Sequence, residues 1–113
     1  MEKTVLEKLC DQIADRRANP AEGSYTCYLF EKGIDKILKK VGEECSETII
    51  AAKNSKNTGS NEELKLEISD LIYHICVLMN ECNLPLSDVM DELDERAKKT
   101  GNLKPQKTVD KNT

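Results

Sequence analysis

Ile34-Asp35-Lys36-Ile37-Leu38-Lys39-Lys40-Val41-Gly42-Glu43-Glu44-Cys45-Ser46-Glu47-Thr48-Ile49-Ile50-Ala51-Ala52 is the stretch that decides the fold. Its apolar positions, Ile34, Ile37, Leu38, Val41, Cys45, Thr48, Ile49 and Ala52, recur at three- and four-residue steps. That period belongs to an amphipathic helix and not to a strand, and it predicts about five turns ending near Lys53. The same stretch holds three carboxylates within five residues, Glu43, Glu44 and Glu47, on what the pattern makes the apolar side. Carboxylates are costly to bring near a core unless something positive meets them there.

Downstream, Lys53 to Asn61 is polar and predicts a turn, and Ser60-Asn61-Glu62-Glu63 has the form of a capping box. A further helix is expected from Asn61 to about Cys82, carrying Leu64, Ile68, Leu71, Ile72, Ile75, Cys76, Leu78, Met79 and Cys82. Glu67 and Asp70 fall within it at i, i+3. Two helices joined by a short connection pack antiparallel. Counted outward from a turn centred near Asn57, Glu47 and Glu67 each lie ten residues away, and Glu44 and Asp70 each thirteen. The two acidic pairs are thus level across the hairpin.

Upstream, Val5, Leu6, Leu9, Cys10 and Ile13 predict an amphipathic helix over residues 3–18, closed by Arg16-Arg17 and stopped by Asn19-Pro20. Ser24-Tyr25-Thr26 follows a loop with Pro20 and Gly23, and Ser24 or Thr26 can cap a short helix through Phe30 and Glu31. The alternative is that these hydroxyls, with Arg16 or Arg17, lie near a phosphate site. Gly33 marks a break or bend. After Asn83-Leu84-Pro85, a last helix over about 87–99 should carry Val89, Leu93 and Ala97 inward and close at Gly101. No strand-like alternation occurs. The expectation is an all-α fold of four to five helices: one domain over 1–101 and a polar tail over 102–113.

Composition narrows the function. With 34% charged and only 4% aromatic residues, the chain suits helices with strongly charged outer faces and aliphatic packing. A net charge of −4 offers nothing to a phosphate backbone, so nucleic-acid binding is not expected. No apolar run approaches a membrane span and Met1-Glu2-Lys3 starts no signal peptide, which points to the cytoplasm. The cysteines (Cys10, Cys27, Cys45, Cys76, Cys82) are odd in number and never CxxC-paired, against a disulfide framework or a structural zinc. Cys45, Cys76 and Cys82 read as small buried hydrophobes.

Either acidic pair alone is commonly a solvated helix face. Their symmetry about the turn, and the apolar neighbours of Glu67 and Asp70, favour a divalent metal instead. An oxygen-only set without His or Cys suits Mg²⁺, or Mn²⁺, over zinc or copper. His74, one turn beyond Asp70, is either a hydrogen-bonded structural residue or a group that orients a ligand carboxylate or touches substrate.

Glu44-x-x-Glu47, nineteen residues, then Glu67-x-x-Asp70 resembles the signature of the MazG-like all-α nucleotide pyrophosphohydrolases. Ser24-Tyr25-Thr26, Leu29, Gly33, Lys39 to Glu44, Ala51-Ala52-Lys53-Asn54, Asp70-Leu71-Ile72-Tyr73-His74, Leu93 and Arg96 make it most similar to the phosphoribosyl-ATP pyrophosphatases of histidine biosynthesis. The resemblance, over roughly residues 5–100, implies hydrolysis of phosphoribosyl-ATP to phosphoribosyl-AMP and pyrophosphate. It implies Mg²⁺ on Glu44, Glu47, Glu67 and Asp70, with Glu43 a further ligand or the group that positions water. Lys40, Lys53 and Asn54 would be phosphate contacts. Ser24, Tyr25, Thr26 and His74 fall in its substrate-binding strings. It implies a free-standing form and a homodimer, and helix 61–82 is itself apolar over more of its girth than one small domain covers. A house-cleaning hydrolase of free nucleoside triphosphates, and a helical dimerisation module without activity, are the competing readings.

Overall fold

The computed structural model of the protein describes residues 2–99, which form five helices and, among the described residues, no strand. They are α1 (Val5–Ala18), α2 (Tyr25–Lys32), α3 (Ile34–Thr58), α4 (Glu62–Glu81) and α5 (Leu86–Lys98). Helix α1 starts in a capping box that the sequence reading did not single out. The Thr4 hydroxyl accepts from the Glu7 amide at 3.1 Å while the Glu7 carboxylate accepts from the Thr4 amide at 2.9 Å. Helix α2 is capped by Ser24, whose hydroxyl accepts from the Cys27 amide at 3.2 Å. Gly33, at φ 90°, ends α2 and begins α3 with no residue between, a left-handed position that a side chain would strain.

Helix α3 is longer than expected. It continues past Lys53 for another five residues, to Thr58, because nothing in Lys53–Thr58 forbids a helix, however polar it is. The first residue that does is Gly59, left-handed at φ 75°, with its amide on the Ser55 carbonyl at 2.8 Å. The turn therefore lies at 59–61 and not around Asn57. The capping box expected at Ser60 does not form either. Asn61 takes the N-cap position without a side-chain bond, its amide oxygen drawn back to the Ser55 hydroxyl. Ser60 accepts only from the Glu62 amide, at 3.4 Å.

Helices α3 and α4 form the antiparallel hairpin, tied near its tip by Asn54 to Glu63 at 3.4 Å. The core is built where α1, α2 and the start of α3 meet the second half of α4, from Ile13, Leu29, Ile37, Cys76, Val77 and Met79. The outer half of the hairpin stands beyond this core, and there only Ala51 is fully covered. Arg17, a candidate phosphate contact, instead fastens α1 to the end of α4. Its guanidinium donates to the Asn80 carbonyl at 2.6 Å and side-chain oxygen at 3.1 Å, and lies 5.1 Å over the Phe30 ring. Arg16 lies 3.6 Å from Asp15.

Three packing expectations are corrected. Helix α5 reaches the core through Leu86 and Val89 only, and Leu93, at 53% exposure, and Ala97 face outward. Cys45 and Cys82 are exposed, and of the three helical cysteines only Cys76 is buried. All five are free thiols. The α3 stripe of Ile34, Leu38, Cys45 and Ile49 is exposed, and the face turned to α4 carries Ile37, Glu44 and Ala51. Gly101 and the expected tail over 102–113 lie outside the described residues.

Candidate active site

Ile37, Glu44 and Ala51 follow one another at seven-residue steps, two helical turns each, along the line of α3 that meets α4. Glu44 thus occupies a core position, with 5% of its surface exposed. From α4, Glu67 and Asp70 come to meet it. One carboxylate oxygen each of Glu44, Glu67 and Asp70 lies within 4.8 Å of the others. Glu47, a turn along α3, comes close enough to Glu67 to share a proton with it. The expected pairing across the hairpin therefore forms although the turn is displaced. Helix α3 overhangs at the tip, and α4 starts alongside Asn54 and Ser55, which restores the register.

The charge of this group is only partly compensated. Glu67 is pushed from 4.5 up to about 7, first by sharing a proton with Glu47, then by burial and the charges of Glu47, Glu44 and Asp70. Burial raises the Glu44 carboxyl, Glu47 and Asp70 add to that, and His74 and Lys40 oppose it. Oε2 of Glu44 and Oε2 of Glu67 are buried without a hydrogen-bond partner. Lys40 is the cation at the site, its Nζ 4.0 Å from Glu44 and 3.9 Å from Glu43. Glu43 sits at the lip, its side chain 43% exposed.

His74 is buried beside the cluster and both ring nitrogens are engaged. Nδ1 donates to the Asp70 carbonyl at 2.8 Å, and Nε2 is hydrogen-bonded to the Tyr25 hydroxyl at 2.9 Å. A carbonyl only accepts, so Nδ1 carries a proton. His74 Nδ1 is 4.0 Å from Glu44 Oε1, so the ring walls one side of the acidic group. The Thr26 hydroxyl bonds Tyr73. Ser24, Tyr25 and Thr26 together dock α2 onto α4, Ser24 as the cap and the other two through side chains. No spacing rule could have found the Tyr25–His74 contact, which joins residues 49 apart in the chain. Neither Lys53 nor Asn54 joins the cluster: Lys53 is exposed and Asn54 is bonded to Glu63.

An all-α hairpin that sets ExxE of one helix against ExxD of the next belongs to the MazG-like nucleotide pyrophosphohydrolases. The sequence profile of the phosphoribosyl-ATP pyrophosphohydrolases matches residues 6–97. Phosphoribosyl-ATP pyrophosphatase of Clostridium novyi is 53% identical over 103 residues, 91% of this chain and 90% of that protein. The Clostridium botulinum enzyme of that name is 55% identical over 108 residues, 95% of this chain and 94% of that one. The histidine biosynthesis bifunctional protein of Caldanaerobacter subterraneus is 57% identical over 95 residues, 84% of this chain but 44% of that larger protein. The chain belongs to the phosphoribosyl-ATP pyrophosphohydrolase family.

Proposed function

We propose that the protein hydrolyses phosphoribosyl-ATP to phosphoribosyl-AMP and pyrophosphate, a step of histidine biosynthesis, with Mg²⁺ or Mn²⁺ held by Glu44, Glu47, Glu67 and Asp70. The observation that carries this is the carboxylate cluster itself, with two buried oxygens lacking any partner. An all-oxygen anionic set of this kind fits a hard divalent cation. When bound, such a cation neutralises polyphosphate charge and acidifies water. The chain's own groups do the rest. Lys40 offers an ammonium to a phosphate beside the cluster. Glu43, exposed at the lip and tied only to Lys40, orients the attacking water. His74 keeps bulk water from the flank of Glu44 and holds the α4 backbone at Asp70. Tyr25 contacts substrate at the mouth, and Ser24 and Thr26 support the turn that presents it. Lys53 and Asn54 sit too far along α3 to be more than outer phosphate contacts.

The test is a panel of phosphoribosyl-ATP, ATP, dCTP and dUTP with pyrophosphate detection, with and without Mg²⁺. Cation-dependent turnover led by phosphoribosyl-ATP is expected. Faster turnover of dCTP or dUTP would point to the house-cleaning reading, and no turnover of any nucleotide to a binding module.

The acting form is a homodimer working in the cytoplasm. No helix among the described residues is long and apolar enough to cross a membrane. Ile68, Ile72 and Ile75 lie on one stripe of α4 and Ile49 and Ile50 on α3, all exposed in the single chain. A second copy covering the outer hairpin would bury them. Sedimentation should give twice the 12.7 kDa chain mass, and Ile72→Glu should shift it toward the monomer. A wild-type monomer at micromolar concentration overturns the dimer.

A further inference from the structure

Helix α2 carries an aromatic surface that the acidic cluster does not use. Tyr25 and Tyr28, three residues apart, stack with ring centroids 6.1 Å apart and planes inclined by 24°. Both are substantially exposed, at 44% and 39%. Tyr25 is nonetheless held in place, its hydroxyl on buried His74 at 2.9 Å and its ring 6.2 Å from that of Tyr73. An exposed aromatic face that is already immobilised loses little entropy when a ligand stacks on it. A cleft of about 610 Å³, lined by Tyr25, Tyr28, Glu22 and Glu31 among others, opens beside the two rings.

Two ammonium groups reach over the Tyr28 ring of this surface. Lys32 and Lys36 lie 5.8 and 6.0 Å from the Tyr28 ring centroid. Among the described residues neither has an ion-pair partner. Lys36, Lys40 and Glu44 then follow one another at four-residue steps on a single face of α3. The eight residues from Lys36 to Glu44 span about 12 Å along the axis. The aromatic surface and the acidic cluster are two ends of one track, with the Lys40 ammonium between them. Aromatic faces receive nucleobases, and ammonium groups without an ion-pair partner receive phosphate. A ligand matching the whole track has a polyphosphate at one end, a purine in the middle and a second, terminal phosphate beyond it.

We infer that Tyr25 and Tyr28 stack on the purine of the substrate while Lys32 and Lys36 bind the phosphate of the phosphoribosyl group attached to it, so that this surface selects the phosphoribosylated nucleotide over the plain one. The inference rests on the phosphoribosyl-ATP hydrolysis proposed above and deepens it. Glu22 and Glu31, which repel phosphate, keep that group on the lysine side and offer acceptors to ribose hydroxyls in the cleft.

Calorimetric titration with phosphoribosyl-AMP and with AMP, in the presence of Mg²⁺, tests it without any need for turnover. Wild type should bind phosphoribosyl-AMP more tightly than AMP. Tyr28→Ala should weaken both by about tenfold, from the loss of one stacking face. The double variant Lys32→Ala/Lys36→Ala should weaken phosphoribosyl-AMP by about tenfold and AMP less, erasing the preference. These lysines lie outside the core, so the double variant keeps the test open should Tyr28→Ala fold poorly, which circular dichroism would show. Equal wild-type affinities for the two ligands, or a double variant that keeps the preference, overturns the inference. Turnover of phosphoribosyl-ATP by a wild type without that preference would sink this inference alone. A preference without turnover would sink the proposed reaction instead.

Discussion

Asp70→Asn is expected to cut phosphoribosyl-ATP turnover by about a thousandfold while leaving the metal-free fold at least as stable as wild type. The size follows from what the side chain does. Its carboxylate is one of three whose oxygens converge within 4.8 Å, and the amide keeps the shape but removes the charge that a divalent cation needs. A bound cation supplies several kcal/mol of stabilisation to the developing phosphate charge, and each 1.4 kcal/mol is a factor of ten in rate. The stability half of the result separates this reading from a structural one. Asp70 raises the protonation of both Glu44 and Glu67, so without a cation its charge opposes folding. Removing it relieves that repulsion. Glu47→Gln should behave alike, since Glu47 is the leading influence on Glu67. Thermal melts in a chelator, run beside the pyrophosphate assay, read out both halves. Near-normal rates in both variants would place the metal elsewhere, and a large drop in melting temperature would make the carboxylates structural.

Much of this arrangement was legible in the sequence because it depends on local periodicity. The i, i+3 spacing of each acidic pair fixes a shared helix face, and near-equal counting from the turn brings the faces together. The turn itself was misplaced, because polarity marks solvent and not the end of a helix. Lys53 to Thr58 are as helical as they are hydrophilic, and the backbone stops only where Gly59 turns left-handed. That the register survived owes to the overhang of α3, which no count along the chain reveals.

What stayed hidden is of two kinds. Contacts between distant segments, such as Tyr25 on His74 or Arg17 on Asn80, leave no trace in spacing, because each depends on how α1 and α2 pack across α4. The second kind is burial. Periodicity says which residues share a face, and the fold decides whether anything covers it. Leu93, Cys45 and Ile49 lie on apolar stripes yet face outward, since the core of one chain reaches only the inner half of the hairpin and the first turns of α5. Glu44 is the converse. It was expected near the core because of its neighbours, and it is in fact more buried than most of them.

The metal-free protein is expected to gain stability as the pH falls from about 7.5 to about 5, and Mg²⁺ should reverse that trend. The folded Glu67 carboxyl holds its proton up to about 7, against 4.5 for the ordinary group, and Glu44 is shifted in the same direction. Between those values the folded chain binds more protons than the unfolded one, so stability declines as pH rises through the window and the loss is complete above it. The lowered carboxyls of Glu7 and Glu92 act in the opposite sense, but only below 4.5 and outside the window. A cation changes the sign by taking the place of the proton. It binds the ionised cluster, so its contribution grows with pH, reaching about 2.7 kcal/mol when its concentration is a hundred times the dissociation constant. Melting temperatures at pH 5 and 7.5, in EDTA and in saturating Mg²⁺, give the four values needed. Glu67→Gln should flatten the EDTA slope and weaken the Mg²⁺ response together, because one carboxyl carries both. A metal-free protein that became more stable toward pH 7.5, or a Glu67→Gln slope identical to wild type, would remove the cluster from the account of either effect.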